Sequence, residues 1–143
     1  MDLNPFILSS AWLHMCLLFI AAGFFILAGR AQLETELTSI IHKMKWVAGV
    51  QVVGALTALI ATELTYDDFG NDAGCVIGIA GYGLNVLVLL FLLSLILWLA
   101  ARFRRYSTRS KVQFIFFLVA SGFLSFEAIA IHARSLGYCV GAV

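Results

Sequence analysis

Long apolar runs with few polar interruptions are the main pattern along this chain. A helix needs roughly 20 apolar residues to cross a bilayer core of about 30 Å, and it satisfies its own backbone hydrogen bonds in hydrocarbon. Continuous runs argue against an outer-membrane barrel, whose strands alternate lipid-facing and lumen-facing residues. Four runs reach the required length, and we predict membrane-spanning helices at residues 6–28, 46–64, 75–101 and 112–131.

The predicted fold is therefore an all-α integral membrane protein, a bundle of four transmembrane helices that forms one domain over residues 1–143. The composition agrees, because 62% of the residues are hydrophobic and 12% are charged, whereas soluble domains have about 45–50% and about 25%. So few charges exclude a soluble globule, and so many apolar residues exclude a disordered chain. No basic run is present, which excludes a nucleic-acid partner.

One stretch between the first two spans has a helical pattern of its own. Over residues 31–44, apolar residues recur at three- and four-residue spacing, which places them on one face of a helix. They are Leu33, Leu37, Ile40, Ile41 and Met44. We expect either an extension of the first helix beyond the membrane or a segment that lies in the membrane interface.

Positive charges are distributed unevenly between the two sides of the predicted bundle. Four spans place both termini on one side and the first and third connections on the other. These two connections hold eight of the nine basic residues, namely Arg30, Lys43, Lys45, Arg102, Arg104, Arg105, Arg109 and Lys111. Basic residues of short loops stay on the cytoplasmic or matrix side, so both termini are predicted on the outer side. A plasma membrane and a mitochondrial inner membrane fit this pattern equally well.

The third connection is the more basic of the two. Its five cations are Arg102, Arg104, Arg105, Arg109 and Lys111. Besides their role in orientation, basic residues near a membrane surface attract anionic headgroups by about 1 kcal/mol each. We therefore expect membrane lipids, anionic ones included, to contact this connection.

Two cysteines fall on the predicted outer side. Cys75 opens the third span, and Cys139 follows the fourth. An oxidising outer compartment permits a disulfide between them if their Cα atoms approach within about 7 Å. The alternative is two unpaired thiols. Cys16 lies inside the first span, where a thiol usually acts as a small apolar side chain.

The second connection contains a short polar sequence at residues 66–72, Tyr-Asp-Asp-Phe-Gly-Asn-Asp. Gly and Asn tolerate left-handed backbone, and Asp side chains cap local turns, so a solvated turn is predicted there. The carboxylates lack the ligand spacing of an EF-hand loop, which argues against a calcium site.

Polar side chains inside the spans are candidate functional residues, because they are costly in hydrocarbon. At about 1.5 Å per residue, Gln51 falls in the inner half of the bilayer and is expected apart from the others. Pairing Glu127 with His14 would offset the cost of burying a carboxylate. The outer half holds the predicted intramembrane polar cluster, which consists of His14, Tyr82, Asn85, Ser125 and Glu127.

Three roles are open for this polar cluster. It can act as hydrogen-bonding glue between helices, or Glu127 can face a partner subunit. It can also form a relay for protons or cations, or the polar end of a small-ligand pocket.

The histidines raise the question of haem, since His14 and His132 could supply two axial ligands. Their depths differ, because His132 falls at the membrane edge, so no haem is expected. No H-x-x-x-H, E-x-x-H or C-x-x-C spacing is present, and such spacings supply common metal ligands. We expect neither a metal nor another cofactor.

Small residues at four-residue spacing predict close approach of helix backbones. Gly54 and Ala58 have this spacing on the second span, and Gly74 and Gly78 have it on the third, where Gly81 follows.

The connections are short and contain no catalytic motif, which leaves no room for a soluble active site. We therefore expect a non-catalytic integral membrane subunit that packs with other membrane subunits in a larger complex, respiratory or channel-associated. The alternative function is a small transporter of protons, cations or small molecules that uses the Glu127–His14 pair.

Overall fold

The computed structural model describes the backbone of residues 5–30, 32–60 and 66–140, and the side chains of residues 12–30, 32–60 and 75–135. Within these ranges it contains four α-helices, which confirms the predicted all-helical fold. The elements are α1 (Pro5–Ala28), α2 (Thr35–Leu59), α3 (Tyr66–Ala101), a 3-10 turn (Phe103–Arg105) and α4 (Thr108–Val140).

Two of these helices are long and apolar enough to cross a membrane. They are α3 over Cys75–Ala101 and α4 over Thr108–Ser135, which agrees with the predicted third and fourth spans. The part of α1 whose side chains are described, Trp12–Ala28, is apolar but shorter. Two helices of this kind point to membrane association.

The fourth helix is the centre of the bundle. It packs against each of the other three helices, most extensively against α3. Its core face carries Phe114, Phe117 and Leu124, which are fully buried. Phe117 also meets Phe25 of α1, with ring centroids 4.7 Å apart, a separation that aromatic pairs favour. Polar residues on α4 are therefore positioned to meet all three neighbouring helices.

The apolar stretch at residues 31–44 belongs to the second helix, which corrects both expectations for it. α2 begins at Thr35, so most of the stretch forms the first turns of α2 and not an extension of α1 or an interfacial segment. Leu37, Ile41 and Met44 are buried in the bundle core. Packing against the other helices therefore removes this apolar stripe from water.

The polar sequence at residues 66–72 is helical, which corrects the predicted solvated turn. α3 begins at Tyr66, and Asp67 and Asp68 fall in its first turn. A carboxylate there is favoured by the partial positive charge of a helix N-terminus. Acidic residues suit both a turn and the start of a helix, so their presence does not distinguish the two.

Large apolar side chains cover the outside of the bundle. On α3, Leu87 and Leu97 are each 65% exposed, and on α4, Phe116 is 67% exposed. Phe24 of α1 and Val53 of α2 are exposed as well. Soluble monomers rarely expose contiguous apolar patches larger than a few hundred Å². Such a surface suits contact with lipid hydrocarbon or with another membrane helix.

Polar contacts join the two connections at one end of the bundle, which we call the basic end. Their centre is the Glu36 latch (Glu36, Arg102 and Tyr106). The Tyr106 hydroxyl donates a hydrogen bond of 2.5 Å to Glu36 Oε2, and Arg102 Nη1 lies 3.6 Å from the same oxygen. The Arg102 guanidinium also lies 5.1 Å from the centre of the Trp98 ring. The latch thus holds the α3–α4 connection against the start of α2.

The latch shifts the pKa of both acidic partners. The hydrogen bond from Tyr106 lowers the pKa of Glu36, outweighing the opposing effect of burial, and Arg105 and Arg102 lower it further. Burial raises the pKa of Tyr106, and its hydrogen bond to Glu36 adds to the rise. By linkage, the Glu36 contribution to stability is complete above its ordinary pKa of 4.5 and is lost as the pH falls through the lowered folded value. The Tyr106 contribution is complete below its ordinary pKa of 10.0 and is lost as the pH rises through the raised value.

We predict that Tyr106→Phe will loosen the first turns of α2, because it removes the donor to Glu36 and keeps the ring. Backbone hydrogen exchange there, measured at pH 7 by mass spectrometry, should become faster. Unaltered protein should show the same increase as the pH falls below the ordinary Glu36 pKa of 4.5 and through its lowered folded value, after correction for intrinsic exchange. Tyr82→Phe is the matched control, because Tyr82 is 39% exposed. Equal exchange rates in both variants would contradict the role given to the latch.

Candidate functional site

A buried hydrogen-bond network joins three helices in the middle of the bundle. Gln51 Nε2 of α2 donates to Asn85 Oδ1 of α3 and to Ser125 Oγ of α4, each over 2.8 Å. Asn85 Nδ2 donates to the Gly81 carbonyl oxygen over 2.7 Å, and Ser125 Oγ donates to the Ser121 carbonyl oxygen over 2.9 Å. None of the three side chains is more than 1% exposed. We call these three residues the Gln51 network.

The position of Gln51 corrects the sequence-based expectation that it lies apart from the other polar residues. The expected depth of Gln51 in the bilayer assumes a span that starts near Trp46, whereas α2 begins at Thr35 and ends at Leu59. Gln51 therefore lies in the second half of its helix, about 12 Å from its end. This is the level that Asn85 and Ser125 occupy on their own helices.

His14 and Glu127 form a second polar contact, between α1 and α4. His14 Nδ1 lies 2.8 Å from Glu127 Oε2. The Glu127 side chain is only 4% exposed, while that of His14 is 33% exposed. A carboxyl group this deeply buried needs a polar partner, and the imidazole supplies one. The pair thus connects a buried carboxylate to the outer surface of the bundle.

The structure separates Tyr82 from the other members of the predicted cluster. The Tyr82 side chain is 39% exposed, although it lies only three residues from the fully buried Asn85. Residues at this spacing share a face of a helix only approximately, and Tyr82 is turned towards the outside. The predicted single cluster is therefore two groups, the Gln51 network and the His14–Glu127 pair, with Tyr82 outside both.

His132, a candidate haem ligand in the sequence, is part of the packing between helices. The His132 side chain is 2% exposed and lies in a gap between α2 and α3. A β-carbon on Gly81 would come within 2.0 Å of His132 Cε1, and one on Gly54 would lie 3.8 Å from Nε2. Only glycine at position 81 leaves room for the ring. His132 Nδ1 has no hydrogen-bond partner among the described residues.

One small residue therefore acts differently from the prediction. Gly81 makes space for an imidazole ring, whereas a β-carbon at Gly54 would be in ordinary van der Waals contact with that ring. Ala58 and Gly78 are buried, as close packing requires. The side-chain environment at Gly74 lies outside the described residues.

The gap around His132 opens into a groove between α2 and α3. Its volume is about 270 Å³, and Gln51, Asn85, Gly81 and His132 contribute to its lining. The other walls of the groove are mostly apolar. The hydrogen-bonding groups of the Gln51 network are directed at one another. The arrangement stabilises contact between three helices.

The structure describes the side chains of two of the three cysteines. Cys75 is disulfide-bonded, and Cys16 is a free thiol. The side chain of Cys139 lies outside the described residues, so its pairing with Cys75 stays a prediction.

In the third connection, two basic side chains contact other residues and three are exposed. Arg102 belongs to the Glu36 latch. Lys111 Nζ lies 3.6 Å from the centre of the Phe103 ring. Arg104, Arg105 and Arg109 are exposed.

Both histidines that could supply axial haem ligands have protein neighbours in the described part of the chain. His14 contacts Glu127, while His132 is enclosed by Gly81 and Gly54. Among the described residues no group of three His, Cys, Asp or Glu side chains could hold a metal ion.

Comparison with protein families, with curated proteins and with solved structures finds no match to this chain. The proposals below therefore rest on the geometry of the described residues.

We predict that Gly81→Ala will destabilise the bundle by about 3 kcal/mol, because the new methyl group would overlap the His132 ring and overpacking is costly. The free energy of unfolding can be measured by denaturant titration in detergent micelles. In a His132→Ala background the same substitution should cost far less, because the ring is gone.

Gly83→Ala is the control for helix propensity, since a β-carbon at Gly83 meets nothing within 4 Å. It should be neutral or stabilising by up to about 1 kcal/mol. An equal cost of Gly81→Ala with and without His132 would show that the ring does not occupy this gap.

Proposed function

We propose that all four helices cross a membrane, with both termini on the outer side and the basic end on the cytoplasmic or matrix side. α1 has 24 residues and α2 has 25, so each is about 36 Å long and exceeds the hydrocarbon core of about 30 Å. Both helices also expose apolar side chains to the outside of the bundle, Phe24 and Val53 among them. The uneven distribution of basic residues supports the orientation.

Within that membrane we propose a non-catalytic role, as an integral subunit of a larger membrane protein complex. The observation that carries this proposal is how the buried polar side chains are used. Gln51, Asn85 and Ser125 hydrogen-bond one another across three helices, and such bonds contribute about 0.6–2 kcal/mol each in membranes. The interior thus stabilises a fixed scaffold, while the exposed apolar side chains remain for lipid and for neighbouring subunits.

Extraction from native membranes in a mild detergent, followed by a native gel, tests this role. We expect the chain to migrate with a mass well above its own 15.6 kDa, because its apolar surface would remain covered by partner subunits. A single substitution to a charged residue on that surface, Leu97→Glu, should release it, whereas Leu97→Phe should not. Migration as a free monomer before substitution would contradict the proposal.

A second candidate function follows from the His14–Glu127 pair. A buried carboxylate joined to a half-exposed imidazole forms a route by which a proton or cation can pass between the interior and the surface. The side-chain exposures of 33% and 4% support such a gradient of access. This observation favours transport, in which Glu127 binds and releases the proton or cation while His14 transfers it.

For this second candidate we predict a pH-dependent flux in liposomes that Glu127→Gln abolishes, because the amide cannot titrate. Glu36→Gln is the matched control, since Glu36 lies at the basic end and its side chain is 51% exposed. It should transport as the unaltered protein does. Normal flux in Glu127→Gln, or no flux in the unaltered protein, would exclude transport by this pair.

A further inference from the structure

An apolar groove lies between the last turns of α3 and the first turns of α4, at the basic end of the bundle. Its volume is about 320 Å³, and its lining includes Ile96, Leu99, Phe103, Ile115, Leu118 and Val119. From Ile96 to Ala100 the groove follows about 6 Å of α3, and Phe103 of the 3-10 turn adds to its lining. Val119 is 65% exposed and Ile115 is 43% exposed, so the groove opens sideways, towards the surroundings of the bundle.

A cation lies at the end of this groove. Lys111 Nζ is 3.6 Å from the centre of the Phe103 ring, and Phe103 itself lines the groove. In the described part of the chain no carboxylate lies within ion-pairing distance of Lys111. The ammonium group is therefore available to an anion placed beside Phe103.

The surroundings of Lys111 add positive charge. Arg104, Arg105 and Arg109 are exposed close by in the chain. Of the described acidic residues of this end, Glu36 binds Tyr106 and Arg102, while Glu34 Oε1 accepts from the Ser107 amide over 3.4 Å and forms no ion pair with a described cation. An apolar groove that ends in unneutralised cations has the polarity of an anionic lipid, whose acyl chain is apolar and whose phosphate is negative.

We propose that this groove binds one acyl chain of an anionic phospholipid, with the lipid phosphate against Lys111. The site differs from a diffuse basic surface because it combines an apolar groove for the acyl chain with one defined cation, Lys111. It rests on the proposed insertion in a membrane, which supplies the lipid. Charge distinguishes this occupant from a neighbouring apolar helix, which would leave the cations unpaired.

Native mass spectrometry of the protein purified in detergent tests the proposal. Phosphatidylglycerol and phosphatidylcholine with identical acyl chains are added in turn. We expect one phosphatidylglycerol molecule to remain bound at activation energies that strip phosphatidylcholine. Lys111→Gln should lower the retained fraction at least threefold, while Lys43→Gln, which removes one exposed cation from α2, should leave it unchanged.

The apolar half of the site has its own variants. Ala100 also lines the groove, and Ala100→Phe should fill it and remove the retained lipid while all basic residues stay in place. Val119→Phe fills the groove from the other side and replaces Ala100→Phe if that variant does not fold, as judged by circular dichroism. If a folded variant with a filled groove still retained the lipid, the groove would not be the binding site of the acyl chain.

Other outcomes separate this proposal from its alternatives. Equal losses in Lys111→Gln and Lys43→Gln would show diffuse electrostatic attraction and overturn the site. A co-purified protein bound across Val119 in place of lipid would overturn it too. Alkaline washing of membranes tests insertion separately: release of the chain would overturn the proposed membrane function, whereas the lipid measurement in detergent stands alone.

Discussion

The bundle depends on two hydrogen bonds donated by one side chain. Gln51 is 1% exposed, and its amide nitrogen reaches both Asn85 and Ser125. An unpaired amide in this environment would cost several kcal/mol, so the three helices can approach closely only in the register that aligns these groups. The same register brings His132 of α4 over Gly81 of α3. One polar contact thereby determines how the apolar surfaces fit.

Helix number and approximate position could be predicted because apolar runs are a local property of the chain. The third predicted span ends with α3 at Ala101, but α3 begins nine residues earlier than predicted, and α4 begins four residues earlier and ends nine residues later than the fourth span. Depth along the first and fourth spans predicts His14 and Glu127 within one or two helical turns of a common level, and they are in contact. The predicted depth of Gln51 is wrong because such a depth depends on where the helix begins. The apolar face at residues 31–44 contained the missing information, since it is the start of α2.

Depth gives the level of a residue but not its direction around the helix axis. Tyr82 and Asn85 have similar depths, yet one is exposed and the other is fully buried. His132 shows the same limit, because its position depends on α2 and α3 lying side by side. The small residues Gly54 and Gly81 were visible in the sequence, but what fills the space beside them is decided by a third helix.

The central place of α4 has a consequence for biosynthesis. Ribosomes make the chain from its N-terminus, so α4 leaves the tunnel after α1, α2 and α3. Until it arrives, His14 lacks its carboxylate and Gln51 lacks one of its two acceptors. These polar groups of the first three helices must therefore stay hydrated or find other partners until α4 joins them, so the bundle can be completed only after the last helix has been made.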